Sequence, residues 1–600
     1  MRAVALAYLA TYVVGLRQTG RRGHAVPSLG VASTSTMSLR MQVDVDVNVD
    51  VAVIGGGIAG TTISWLLQER EGLQVALIDP KVNVPGAWYP NYGEWRDEWH
   101  ALSERLKLPE LKECTTTEWE RTDCFFGGSF DVPMEKRTTL QRPYVRVDRV
   151  KMQSLLRGRF DKANGIPVAS KLNAKQLGSE NLFDKDLVHD STGSTLRLDD
   201  GRTLRCKILV DASGLESRLV SKEKPFYARG NNVELPTGFQ IAYGFIAHTD
   251  NLGPYDGKAM TLFDYRTDHL DGRPRAEQDD SENKPTFMYA MPLGTYPDGS
   301  HRVFFEETSL VGRGARRLTF EECKRRALLR LAHHGINVLG VEEEEYCYIP
   351  MGGELPSLTQ RVVAFGGAAN MVHPSTGYHA CRMLAASTDL AQAISAGIKQ
   401  KQPPDAVSAA AYKSLWSQQN RGQRDFQAYG GDFLMEQPVS SLRGFFTAFF
   451  QLEQAVWGGF LAGWPGLPGN EYHETWNERL KFALQMFTKM PNPTRLAMVL
   501  YSIGYTFKFG PNTLLRSLTP PWFFFGAGPS DPQYSAPPAV LGDEAAKEEA
   551  RLMMRGFAPT GRFDLDAEAK IKAATLVSSL PAPFNAAQIG LDAIKPDVRE

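Results

Sequence analysis

From Val49 to Ile54 the chain is almost wholly apolar, and the glycine loop Gly55-Gly56-Gly57-Ile58-Ala59-Gly60 follows at once. An apolar run closed by glycines predicts a buried strand, and the residues after it, to about Glu71, repeat with helical spacing. Val75 to Ile78 is a second short apolar run, ending at Asp79, so the segment opens as a βαβ unit. Arg205 to Val210 predicts a further buried strand, closed by Asp211-Ala212-Ser213-Gly214, and Arg361 to Phe365 another, opening onto Gly366-Gly367-Ala368. Between these lie Gly238 to Phe245 and Phe287 to Met291, whose alternation reads as antiparallel sheet. From about Tyr412 the pattern is helical and aromatic; Pro520-Pro521 then breaks it, and the remainder is rich in Ala, Pro and Glu, with one predicted helix from Asp543 to Arg555. No internal repeat is evident.

The expected fold is α/β: a Rossmann-like FAD-binding domain, an inserted antiparallel-sheet substrate domain and a helical C-terminal region. The expected boundaries are 49–230 and 346–411 for the two parts of the cofactor domain, 231–345 for the substrate domain, 412–518 for the helical region and 519–600 for a flexible tail. Six hundred residues are too many for one hydrophobic core, which fits this division. A net charge of −1 gives nucleic acid nothing to bind. The six cysteines are scattered, without C-x-x-C or paired histidines, so neither a zinc site nor a disulfide framework is expected.

Residues 1–43 differ in composition, with five arginines, no lysine and no acidic residue before Asp44. The apolar stretch Val4 to Leu16 is too short to span a bilayer comfortably, and an Arg- and hydroxyl-rich segment follows it. This signal-like start joined to a transit-like continuation predicts a bipartite plastid-targeting segment; a plain secretory signal is the alternative.

In the glycine loop, Gly55 permits the tight turn, Gly57 lets backbone approach a pyrophosphate and Gly60 lets the helix pack on the strand. The helix N-terminus offers unpaired N–H groups and partial positive charge to phosphates. Asp79, 19 residues past Gly60, is placed to accept hydrogen bonds from a ribose diol. A long dinucleotide such as FAD needs a second contact region far along the chain. Asp211, Gly214, Gly366, Gly367 and His373 are the candidates for it, although each turn also reads as an ordinary strand ending.

Several ordered blocks carry a family resemblance. Pro90-Asn91-Tyr92-Gly93-Glu94-Trp95-Arg96-Asp97-Glu98 is similar to P-N-N-Y-G-x-W-x-D-E, and Arg142-Pro143-Tyr144-Val145-Arg146-Val147 to R-P-Y-G-R-V. Phe304-Phe305-Glu306-Glu307-Thr308 resembles F-L-E-E-T; Ile349 to Gly353 and Met371 to Tyr378 complete the set. Together these resemble the plant-type lycopene cyclases over about Val51 to Leu518. The chain departs from the pattern at a missing asparagine in the first block, at Val145, and at Asn370, His379 and Cys381, which stand where smaller or apolar residues are expected.

The resemblance implies acid-catalysed, non-redox closure of the linear ends of lycopene to β-rings, with reduced FAD bound and NADPH as its reductant. No second, NADPH-specific loop is visible, so another reductant stays open. Glu306 is the implied proton donor. On a strand, Glu306 and Glu307 point to opposite faces, so Glu307 orients the site or binds elsewhere. Burial beside Phe304 and Phe305 and a neighbouring carboxylate raise a carboxyl's pKa. Asp97, in the acidic pair with Glu98, is the candidate to take the final proton, with a solvated turn as the alternative. Phe445, Phe446, Phe449, Phe450, Trp457 and Phe460 read equally as a carotenoid channel or as core. Leu496 to Phe509 and Trp522 to Phe525 suit a membrane surface, and no apolar run is long enough to span one. The implied partners are therefore lycopene, the plastid membrane surface and other carotenoid-pathway enzymes. An ε-ring cyclase, an epoxy-carotenoid rearranging paralogue, a flavin-dependent hydroxylase or epoxidase and a silent carotenoid-binding flavoprotein remain as alternatives.

Overall fold

The computed structural model describes residues 46–520 apart from 89, 131, 172–185, 216, 218, 224–236, 314–315 and 510–513. The expected targeting segment, the Trp522–Phe525 cluster and the Asp543–Arg555 helix lie outside the described residues.

The valine-rich strand Val47–Ile54 is buried along its C-terminal half because it runs through the middle of a seven-stranded sheet. Val75–Ile78 and Thr203–Asp211 pair with it in parallel on either side, and Ile166–Val168 extends the sheet beyond the former. Val363–Ala364 joins Thr203–Asp211 in parallel, while Gly193–Arg197 and Leu187–Asp190 add an antiparallel edge. Gly55, at φ +101°, turns the chain out of the first strand, and helix Ile58–Trp65 returns over the sheet. A Cβ at Gly60 would lie 1.8 Å from the Gly55 carbonyl oxygen, so only glycine lets helix and strand approach this closely.

A second seven-stranded sheet carries the alternating segments. Its order is Val338–Met351, Gly238–Thr249, His301–Ser309, Thr286–Thr295, Ala259–Asp264, Arg121–Phe125 and Arg137–Leu140. The last two strands come from within 49–230, so this sheet recruits chain that precedes the expected 231–345 insertion. Helix Phe320–His333 covers one face, packing on Ile241, Tyr243, Phe245 and Phe305. Its N-terminus is capped by Thr319, whose hydroxyl accepts the Glu322 N–H.

Helices between Ala380 and Leu518 complete the structure. The aromatic residues considered for a channel, Phe446, Phe449, Phe450 and Trp457, are core residues in one cluster with Phe433 and Phe482, with Phe445 and Phe460 packed against it. None of the six lines the site cavity described next.

Candidate active site

Two cavities meet between the sheets. The first, of about 410 Å³, opens where strand Val47–Ile54 gives way to helix Ile58–Trp65, and Gly55, Gly56, Gly57, Asp79, Gly214 and Gly367 line it. Gly57 is the helix N-cap and supplies no side-chain cap, so first-turn N–H groups remain for a ligand. A Cβ at Gly57 would meet nothing within 4 Å, so the position faces open space. Asp79 is fixed at the rim: its Oδ2 accepts the Gly56 N–H at 2.8 Å and its Oδ1 the Lys81 N–H at 2.7 Å. Uncapped donors, an open glycine and an anchored carboxylate fit a dinucleotide's pyrophosphate and ribose.

Not all the expected contact residues reach this cavity. Gly60 serves helix packing. Asp211 is buried and holds its own turn, accepting from the Ser213 N–H at 2.9 Å and from the Ser217 hydroxyl. Gly366 is packed, since a Cβ there would fall 2.8 Å from the Ala59 Cβ. His373 is fully buried, with Nδ1 accepting the Ser375 N–H at 3.1 Å, and it lines neither cavity. His379 lines both instead, beside Gly367 and Met383.

The second cavity, of about 500 Å³, shares Tyr92, Ser213, Gly214, Gly367, His379 and Met383 with the first. Its wall is the face of the second sheet turned away from helix Phe320–His333. Strand register sets one row across it: Tyr289 opposite Glu306, Glu306 opposite Gly244, and Gly244 opposite Glu345. Phe304, Met291, Thr308 and Cys347 flank this row in the lining. The Thr308 hydroxyl donates to Glu306 Oε1 at 2.7 Å. Removal from water, and then the adjacent Glu345, push the Glu306 carboxyl up to about 8. Burial also raises Glu345, against the opposing effects of Arg149 and Asn91.

Glu307, one residue along, points to the other face and does not touch the cavity. Arg330 donates to it through Nε at 3.0 Å and Nη2 at 2.9 Å, and Thr286 donates at 2.5 Å, all within the core. The alternation of strand faces thus gives the two adjacent glutamates a site role and a packing role.

The expectation for Asp97 is likewise not met by its placement. It lies in the first turn of helix Arg96–Arg105 with its side chain 43% exposed, clamped by Arg142 at 2.9 Å, and it does not line the cavity. The acidic residue of that block that does is Glu94. Burial and the nearby Glu98 push the Glu94 carboxyl up to about 8, and Cys381 Sγ donates to it at 3.1 Å. Burial lifts Glu98 to about 7 despite its bond to Arg142 at 2.8 Å. Arg142 itself stacks over Trp95 and Trp457, 4.5 and 5.4 Å from their ring centres, and is part of the scaffold. Tyr144 and Tyr378, whose hydroxyls lie 3.2 Å apart, complete this side of the wall.

Glu345, Gly244, Glu94 and Tyr289 escaped selection on sequence grounds. Glu345 ends a run of four glutamates, a pattern that reads as a solvated face, yet each member has a different partner: Arg302, Arg149, Lys324 and Asn91 in turn. Only strand register reveals that Gly244 stands between two carboxylates.

A family model described as lycopene cyclase protein matches residues 50–496. The chain is 36% identical over 456 residues to the chloroplastic lycopene beta cyclase of Arabidopsis thaliana, covering 75% of this chain and 79% of that protein. It is 36% identical over 451 residues to the chloroplastic/chromoplastic lycopene beta cyclase of Capsicum annuum, covering 75% and 80%. It is also 34% identical over 421 residues to the chloroplastic neoxanthin synthase of Solanum lycopersicum, covering 69% and 74%. The chain belongs to the lycopene cyclase family.

Proposed function

We propose that this member of the lycopene cyclase family closes the linear ends of lycopene into β-rings, with Glu306 as the proton donor. The observation that carries the reading is the Glu306 carboxyl, hydrogen-bonded by Thr308, in the wall of an apolar cavity that adjoins the glycine-lined one. Glu306 protonates the terminal double bond; the next double bond attacks the resulting cation; a ring carbon then loses a proton. Reactant and product are isomers, so no net electron transfer is needed.

The cofactor is proposed to be FAD, held by Gly55, Gly57, Asp79, Gly214 and Gly367, with NADPH as the source of its reducing electrons. When bound and reduced, it supplies negative charge beside the cavity, which stabilises cationic character there. Tyr144, Tyr289, Phe304 and Tyr378 line the cavity, so aromatic rings surround the place where cationic charge develops.

The proposed location is the plastid, with peripheral attachment to its membranes. No helix among the described residues is long and apolar enough to cross a membrane. Helix Asn492–Phe509 carries an exposed apolar stripe of Leu496, Val499, Leu500, Ile503 and Phe507, the last 79% exposed. That spacing puts all five on one side, which suits shallow insertion next to a lipid-dissolved substrate.

The test is expression of the full chain in bacteria that accumulate lycopene, followed by pigment chromatography. Two-ended β-rings are expected. Turnover only of added epoxy-carotenoid would move the chain toward the neoxanthin synthase relative, and an oxygenated lycopene product would overturn the cyclase reading.

A further inference from the structure

We propose that Glu345 is the proton acceptor of the ring closure, and that it hands the proton back to Glu306 across Gly244. The proposal rests on the cyclase reading above. Glu306 and Glu345 lie on strands that do not pair with each other; the strand Gly238–Thr249 separates them, and Gly244 is in register with both. A Cβ at Gly244 would come within 2.8 Å of Phe304 Cζ and 3.0 Å of Glu345 Cγ. Because it is absent, Phe304 and Glu345 pack over bare backbone between the two strands. Carboxylate oxygens of Glu306 and Glu345 lie within 4.8 Å of each other and of Cys347 Sγ.

Two carboxyls at this range in a water-poor wall do not both ionise readily, so the pair holds one proton. Their neighbours decide which member keeps it. Glu345 Oε2 accepts from the Asn91 N–H at 3.1 Å and from the Asn91 side-chain amide at 2.5 Å, and Oε1 from the Cys347 thiol at 3.3 Å. These donors favour an anion at Glu345. Glu306 has the Thr308 hydroxyl and keeps the proton.

The chemistry of closure then needs both members. In either ring type, the carbon that loses a proton lies two bonds from the carbon that gained one. A single pair of carboxyls therefore reaches both. Glu306 gives its proton to the terminal double bond. After the new carbon–carbon bond forms, Glu345 takes a proton from the neighbouring ring carbon, and the released electron pair becomes the ring double bond. Passing that proton from Glu345 to Glu306 resets the site, with protons and electrons balanced. Glu94 also lines the cavity, but the Cys381 thiol is its donor where Glu345 has two N–H donors from Asn91 besides a thiol, and its neighbour Glu98 opposes its ionisation, so it is less suited to accept the proton as an anion.

The experiment compares full-length wild type, Glu345→Gln and Glu345→Asp in lycopene-accumulating bacteria, with flavin absorbance of the purified proteins as the check on folding. Glu345→Gln is expected to lose about 100-fold in ring formation while holding flavin, and Glu345→Asp to recover at least about tenfold of that loss. Retention of a tenth or more of the rate by Glu345→Gln, or no recovery in Glu345→Asp, overturns the proposal. If Glu345→Gln does not hold flavin, Gly244→Ala replaces it, with a methyl pressed against the Glu345 side chain and Phe304: loss with flavin bound supports the proposal and wild-type rate overturns it. Should the wild type itself form no rings, the cyclase reading fails; should it form rings that need Glu306 but not Glu345, only the present inference fails.

Discussion

Replacing Glu307 by glutamine leaves the Arg330 guanidinium in the core without its bidentate partner, while the same replacement one residue earlier removes a carboxyl that burial pushes toward its neutral form. Both side chains of the Glu307–Arg330 pair are at most 1% exposed. Removing one member of a buried ion pair costs about 3–5 kcal/mol, because the other charge stays behind. Asp264, 3.9 Å from Arg330, softens this but is itself engaged by Arg266 at 2.6 Å, so the lower end, about 3 kcal/mol, is expected. Burial, and then the adjacent Glu345, push the Glu306 carboxyl up to about 8, which favours its protonated form at neutral pH. Glutamine there keeps the shape and an acceptor for Thr308, so stability is expected to change by less than about 1 kcal/mol. The activities run the other way. Glu306→Gln is expected to lose about 100- to 10,000-fold, as for removal of a general acid, whereas folded Glu307→Gln keeps ring formation. Urea midpoints of the purified proteins and pigment chromatography in lycopene-accumulating cells measure the two effects separately. A Glu306→Gln variant with a tenth or more of the wild-type rate, or a Glu307→Gln variant of normal stability that makes no rings, would refute the assignment of faces to roles.

Gly57→Val is expected to fold normally and lose flavin, because its side chain enters open cradle space, whereas Gly60→Val is expected to destabilise the fold through its clash with the Gly55 carbonyl; melting curves with flavin absorbance distinguish the two. The proton donor works protonated, so the rate is expected to fall as pH rises through about 8; loss of activity already on raising the pH through about 5 would mean an ordinary solvated carboxyl is responsible. With flavin chemically reduced under anaerobic conditions, several turnovers are expected without further NADPH; a requirement for oxygen would point to hydroxylation instead.

The glycine cradle was legible because its constraints are local. A strand, a tight turn and a helix N-terminus occupy consecutive residues, and Val75–Ile78 is an observed strand with the expected bounds. The opposite faces of Glu306 and Glu307 followed from the two-residue period of a strand and needed no partner strand. What stayed hidden depends on long-range register. Arg121–Phe125 joins the second sheet through parallel pairing with Ala259–Asp264, more than a hundred positions away, and nothing in its own five residues records that choice. Asp97 and Glu94 stand three residues apart in one recognisable block, yet Arg142 captures the first and the cavity receives the second. His373 and His379 were separable only by seeing which one the loop folds inward.

The three departures from the family pattern near residue 375 divide in the same way. Asn370 adopts φ +56°, and its side-chain amide donates to the Gly352 and Glu354 carbonyls at 2.6 and 2.9 Å. It therefore holds a backbone loop, a task that asparagine, tolerant of the left-handed region, performs well. His379 and Cys381 are different in kind. His379 lies in the wall shared by cradle and cavity, with burial pushing its imidazole toward the neutral form. Cys381 gives its thiol hydrogen to Glu94, which lines the second cavity. A change at Asn370 acts on the loop, whereas changes at His379 or Cys381 alter the polarity of the cavity walls. On the proposed function, His379→Ala or Cys381→Ala is therefore expected to change the ratio of ring products while leaving the fold intact. An unchanged product ratio in both variants would return the origin of specificity to the tyrosines of the cavity.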